Sequence, residues 1–313
     1  MPRFAADRVG SKAMHLAKLA GKLPDWVRLP ASVALTFGSF EAALAAAGNE
    51  AVAARYEQLA ARVNDQPVKT LEQLRQVIDE LQPTPELKEK LFKAAHEVGL
   101  TLDENFPATF SAIRQVWASK WTDRAYWSRR RLGIDHASLR MAVLIQQVID
   151  ADYAFVLHTV NPMTGDRGEV FGEIVVGLGE TLVGNYPGRP LSFVADKSKG
   201  GETAVVNFAS KGTALRGGGV ICRSDSNGED LAGYAGAGLY ESVLVQKAEV
   251  TAVDYTRDRL ANDEAFRQSV LSSLGQLGCA VEAACGGPQD IEGVISDGRY
   301  HVVQTRPQVG LED

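Results

Sequence analysis

The 313-residue sequence lacks any excess of positive charge: 33 Lys and Arg stand against 39 Asp and Glu, a net charge of −6 with a pI near 5.5. Proteins that grip duplex nucleic acid neutralise its phosphates with a basic surplus, so nucleic acid is not an expected partner. Cysteine is scarce. The three present, Cys222, Cys279 and Cys285, are odd in number and have no zinc-ligand spacing. That fits a reducing compartment better than a disulfide framework. No run approaches the roughly 18 uninterrupted apolar residues of a membrane span. Residues 1–10 hold no apolar stretch of signal-peptide type. These absences point to a soluble intracellular chain with no membrane partner.

Familiar nucleotide texts are missing too. Gly10-Ser11-Lys12-Ala13 lacks the first glycine and the final Ser/Thr of a P-loop, and the glycines at Gly177 and Gly179 lack a third for a dinucleotide fingerprint. Any nucleotide must be held on another scaffold. What is present is an ordinary globular composition, 45% apolar and 23% charged. Periodicity predicts a short helix after Gly10, a strand at 32–37, two or three amphipathic helices over 41–100 and another helix over 111–131. Strands are expected at 142–149, 153–158, 169–176, 191–194, 204–208 and 220–223, then a helix over 263–284 and a hairpin of 290–295 with 299–305. Helices lead and strands follow, so the expected class is α+β with antiparallel sheets. The helical part runs to about 140 and the strand-rich part from about 141 to 313.

Several residues carry chemistry. Lys12 stands at the start of the first helix, where free N–H groups and partial positive charge suit a phosphate. Plain solvation is the competing reading, and a cation at this end of the dipole wants a reason. Lys120 and Arg124 lie four apart on the 111–131 helix beside Trp117 and Trp121. Like charges at that spacing repel unless an anion lies between them, a ligand and an internal ion pair being equal alternatives. The densest text is 220–230, which carries Arg223 among small polar residues. It follows Gly217-Gly218-Gly219 and precedes the glycine-rich stretch 233–238. Arginine suits bidentate phosphate contact, and a glycine-rich flap can close over a polyphosphate.

The terminal hairpin offers hard oxygen ligands for Mg²⁺ in Asp290, Glu292 and Gln304, with Arg306 on the face of Gln304. Register decides whether they converge. A two-residue Asp297-Gly298 turn would throw Gln304 to the opposite face. A three-residue loop, Ser296-Asp297-Gly298, is therefore expected, pairing 290 with 304. It places Asp290, Glu292 and Gln304 on one face and Ile291, Ile295 and Val303 on the other. The histidines His15, His96, His136, His158 and His301 show no ligand or triad spacing and read as packed or surface residues.

Six stretches together carry a family resemblance: VGSKAMHLAKLAGKLPDWVRLPASVAL, RQVWASKWTDRAYWSRR, ADYAFVLHTVNP, GLGETLVGNYPGRPLSF, RSDSNGEDLAGYAGAGLYESV and PQDIEGVISDGRYHVVQTRPQ. Spread over 9–308, they resemble the ATP-binding domain of the phosphoenolpyruvate synthase and pyruvate phosphate dikinase family. The fifth stretch and the ETLVG-YPGR text point to the branch that phosphorylates α-glucans. The resemblance implies one ATP-grasp-like nucleotide-binding domain over 1–313, two lobes clamping ATP, with a helical N-terminal insertion. It puts phosphate binding on Lys12 and Arg223, the flap on Gly236, and adenine reading on the backbone of Gln146, Gln147 and Val148. It puts metal and phosphate ligation on Glu292, Gln304 and Arg306, and includes Arg124 in a shared segment. In the synthases the arginine-bearing segment precedes the tryptophan-rich helix, whereas here Arg223 follows it.

The implied activity is that of a kinase with ATP and Mg²⁺ as cofactors. The β-phosphoryl of ATP passes through a phosphohistidine to an α-glucan, with release of AMP and phosphate. No phosphohistidine text is present, so no catalytic residue is assigned. The implied partners are a phosphohistidine-bearing domain and, through other domains, an α-glucan. The implied location is the plastid for a plant or alga and the cytoplasm for a bacterium. The alternatives are a nucleotide-binding module without activity of its own, and a phosphotransferase acting directly on a small molecule.

Overall fold

The computed structural model describes residues 8–102, 106–184, 186–231, 234–235 and 238–311. In chain order it forms α1 (Ser11–Leu19), β1 (Val27–Arg28), β2 (Ser32–Leu35), α2 (Ser39–Leu44), α3 (Glu50–Arg62), α4 (Pro67–Asp79), α5 (Pro85–Glu97), α6 (Phe106–Ala118) and α7 (Asp123–Arg131). There follow β3 (Met141–Val148), β4 (Tyr153–His158), β5 (Glu169–Val176), α8 (Glu180–Val183), β6 (Leu191–Asp196), β7 (Glu202–Asn207), β8 (Thr213–Arg216) and β9 (Gly219–Ser226). The remainder is β10 (Asp230–Leu231), β11 (Tyr234–Ala235), β12 (Ser242–Leu244), β13 (Glu249–Ala252), α9 (Arg259–Asn262), α10 (Glu264–Cys285), β14 (Gln289–Ser296) and β15 (Arg299–Pro307). The class is α+β. Among the described residues no helix is long and apolar enough to cross a membrane.

The Ala-, Leu- and Glu-rich stretch before residue 100 makes four helices, where two or three were expected. Pro67 and Pro85 each open a helix, where a missing N–H costs nothing. The Thr84 hydroxyl caps α5 by accepting from the Leu87 amide at 3.1 Å. The single helix expected over 111–131 is broken. After α6 a 3₁₀ turn runs Ser119–Trp121, and Thr122 is extended and caps α7 through its hydroxyl. Lys120 and Arg124 are therefore not successive turns of one helix face.

The chain divides into two units: 1–14, 31–147 and 219–246 form the first, and 15–30, 148–218 and 247–313 the second. This departs from a simple split near 140, because 15–30 and 219–246 each belong with chain remote in sequence. The first unit holds the four-stranded sheet β12-β9-β3-β2. Val143, Ile145, Val220 and Cys222 from its strands share one core with Phe110, Ile113 and Trp117 of α6. Trp117 also meets Phe40 edge-on at 5.5 Å between ring centroids, a favourable geometry for a buried pair.

The second unit holds the seven-stranded sheet β1-β15-β14-β4-β5-β6-β7. Its pairs are antiparallel except that of β1 with β15, which is parallel. Helix α10 covers one face, its Leu271, Leu274, Leu277 and Val281 sharing a core with Leu157, Val170, Phe193 and Ile291. The helical period of the first four and the two-residue period of Leu157 and Ile291 on their strands are what join those elements.

Candidate functional site

In the first unit, β9 delivers side chains alternately to two faces. Cys222 enters the core, while Arg223 points the other way and donates from Nη1 to Gln146 Oε1 of β3 at 3.2 Å. Lys12, 211 positions earlier in the chain, reaches the same strand. Its Nζ donates to the backbone oxygen of Ser224 at 2.9 Å and forms an ion pair with Glu229. Glu229 is held in turn by the Ser224 hydroxyl, which donates to its Oε1 at 2.5 Å. A carboxylate beside the ammonium supplies the reason for a lysine at a helix N-terminus.

That N-terminus is occupied from within. Asp225, fully buried, accepts from the amides of Gly10 and Lys12 at 2.9 Å each and from Ala13 at 3.4 Å. The expectation that these amides stand ready for an anion is corrected: a buried aspartate already satisfies them. Gly10 is required for this approach, since a Cβ there would lie 2.6 Å from the Asp225 backbone oxygen. Burial, with Glu229 adding to it, pushes the Asp225 carboxyl up to about 6, against the opposing pull of the Lys12 charge and the Ala13 and Gly10 amides. Asp225 and Glu229 join the Lys12 cluster, and the sequence reading did not single them out. Their signal was their place within the 220–230 text, but nothing local tied them to Lys12.

Gln147 and Val148 continue β3 beyond Gln146. Gln147 is exposed, its amide donating to Ala31 at 2.9 Å, and Val148 is half-buried. Arg124 is exposed on α7. Its Nη2 pairs with Glu241 Oε1 at 2.5 Å and its Nε donates to Leu239, so an internal ion pair answers that side chain's charge. Lys120 is buried instead, donating to the Leu139 oxygen at 2.9 Å with its ammonium against the Trp121 ring. Burial, and then Arg129, push its pKa down to about 8. Gly236, the expected flap glycine, lies outside the described residues.

In the second unit, β14 and β15 carry the acidic group. The loop between them is the two-residue turn Asp297-Gly298, both residues at positive φ of 49° and 71°, and Ser296 pairs with Arg299. The expected three-residue loop and the pairing of 290 with 304 are thus overturned. A β-bulge at Glu292/Gly293 then shifts the register, so that Glu292 pairs with Gln304 and Asp290 with Arg306. Val303 is the inserted residue. It packs with Ala151, Ala154 and Val294, while Val302 joins Ile291 and Ile295 in the core under α10. Glu292 and Gln304 still share a face, Gln304 Nε2 donating to Glu292 Oε1 at 3.3 Å.

Asp290 is engaged on both oxygens. His158 Nδ1 of β4 lies 2.7 Å from Oδ1, and Arg306 Nε donates to Oδ2 at 3.2 Å. Little in the local text singles out His158; its signal, a polar residue closing an apolar strand, is weak. Among the described residues no group of three or more His, Cys, Asp or Glu is arranged to hold a metal alone. The set Glu292, Gln304 and Asp290 has the hard oxygens that Mg²⁺ takes when it shares its ligands with phosphate.

Part of the chain is similar to a known class of domain. Residues 102–211 match the family described as pyruvate phosphate dikinase, AMP/ATP-binding domain. That stretch holds Arg124, Gln146, Gln147 and Val148, and Lys12, Arg223 and the hairpin residues lie outside it. More particularly, over 98% of its length the chain is 45% identical to the chloroplastic alpha-glucan water dikinase of Citrus reticulata and 46% identical to the chloroplastic alpha-glucan water dikinase 1 of Arabidopsis thaliana. Over 64% of its length it is 26% identical to the phosphoenolpyruvate synthase of Pyrococcus furiosus. The chain spans 21% and 22% of the length of the two plant relatives.

Proposed function

We propose that the chain binds Mg·ATP as the nucleotide-binding part of a dikinase. The reading extends to an ATP-grasp-like fold and to a full reaction that involves other domains. In that reaction the β-phosphoryl of ATP passes through a histidine outside this chain to an α-glucan, the γ-phosphate goes to water, and AMP leaves. The names of the plant relatives support the glucan acceptor and a plastid location.

One observation carries the nucleotide reading. Two cations far apart in sequence, Lys12 and Arg223, are brought to consecutive residues of β9, the first on the oxygen of Ser224 and the second beside Gln146. Phosphoryl transfer depends mainly on positioning and charge neutralisation, and such a pair can supply both. Glu292 and Gln304 would hold Mg²⁺, which when bound offsets phosphate charge. Arg306 would bind an oxyanion through its guanidinium fork. Calorimetric titration with Mg·ATP is the test. Arg223→Ala and Glu292→Ala are each expected to weaken binding, the arginine by about 1.5–3 kcal/mol as for a charge-assisted hydrogen bond. Unchanged affinity in both variants would remove these residues from the site.

A further inference from the structure

Arg306, Asp290 and His158 form one row across three adjacent strands. Asp290 is the direct partner of Arg306 on β15 and of His158 on β4. All three are half-buried. Because a carboxylate only accepts, the His158 imidazole must carry its proton on Nδ1, 2.7 Å from Asp290 Oδ1. The second oxygen receives Arg306 Nε at 3.2 Å. The outer side of the imidazole is flanked by Phe171 of β5, its ring centroid 6.3 Å away. A carboxylate held at one oxygen cannot rotate without breaking that bond. The other oxygen is thereby fixed as the acceptor that orients the guanidinium. Among the described residues only Nε of Arg306 is engaged, which leaves both Nη groups for a ligand.

We propose that His158 is a positioning residue. Through Asp290 it holds the Arg306 guanidinium so that the two Nη groups present a bidentate fork to a phosphate oxygen pair. Asp290 then serves orientation, and Mg²⁺ ligation falls to Glu292 and Gln304. This inference rests on the reading of Arg306 as a phosphate ligand. It goes beyond that reading in assigning a task to a histidine and in taking Asp290 out of the metal set.

The test compares His158→Phe, which keeps a ring but removes the donor, with His158→Asn, whose amide can donate from nearly the place of Nδ1. The first readout is Mg·ATP affinity by calorimetry. The second is the Arg306 Nε–H resonance in ligand-free protein, assigned with Arg306→Lys. His158→Phe is expected to weaken Mg·ATP binding about tenfold, the effect of losing one oriented hydrogen bond, and to shift the Arg306 signal. His158→Asn is expected to recover most of the affinity and to leave the signal near its wild-type place. An unmoved Arg306 signal in His158→Phe overturns the proposal, as does a His158→Asn variant as impaired as His158→Phe. If the wild-type chain does not bind Mg·ATP, the proposed function fails, and the resonance alone decides whether His158 positions Arg306. Should His158→Phe not fold, Asp290→Asn carries the same comparison, with the same shift expected and an unmoved signal overturning the assignment.

Discussion

Three backbone amides at the start of α1 converge on the buried carboxylate of Asp225, with Glu229 and Lys12 beside it. Its pKa, raised from 3.8 to about 6 chiefly by burial, has a consequence for stability. Between those two values the folded protein keeps a proton that the unfolded chain has released. The contribution of Asp225 to stability therefore falls as pH rises from about 4 to 6. Urea unfolding should show wild type losing stability relative to Asp225→Asn across that window. Parallel curves for the two proteins would show that Asp225 does not titrate there. Lys12 and Arg223 stood out in the sequence because cations in glycine-flanked or helix-starting text are unusual. Their carboxylate and amide partners did not, because those partners come from positions scores of residues away.

The terminal hairpin shows how much of an element a local pattern can specify. Alternation located both strands, and the polar set Asp290, Glu292, Gln304 and Arg306 was legible from the sequence. The turn was misread, because a plain two-residue turn seemed to put Glu292 and Gln304 on opposite faces. A bulge reconciles the two, and a bulge has no reliable local signature when both residues at the insertion, Val302 and Val303, are valines. At the turn itself, Asp297 and Gly298 take the left-handed conformations that suit the twist of a hairpin. Gly298→Val should cost about 1–3 kcal/mol in urea unfolding, since a β-branched residue is strained at φ 71°. Asp297→Asn should stay within about 0.5 kcal/mol of wild type, as both residues tolerate this geometry. The break between α6 and α7 escaped the sequence reading for a related reason. Trp117 and Trp121 keep helical spacing and are both buried in one core, so the apolar pattern continues across a backbone that changes course at Thr122.

For the molecule as a whole, the proposed reaction calls for a nucleophile that accepts the β-phosphoryl and then carries it to a sugar. Four of the five histidines are at least half-buried, and His96 is exposed on the surface of α5. His15 and His158 are hydrogen-bonded to Thr305 and Asp290, His96 is held within the backbone of α5, His136 lies tilted against the Trp121 ring, and His301 is half-buried on β15. We therefore expect the purified chain, incubated with labelled Mg·ATP and soluble glucan, to leave the glucan unlabelled. Robust labelling would show that one of these histidines is a carrier. The kinds of element, the α+β class and the residue types suited to phosphate and Mg²⁺ were determined by the sequence itself, because period and side-chain chemistry are local properties. Only the tertiary structure decided that 219–246 packs with 31–147, that Asp225 closes the first helix turn, and that His158 stands next to Asp290. Those outcomes depend on strand order and on a one-residue shift of register. Both are set by the burial of whole faces against distant chain, and no single stretch of sequence contains them.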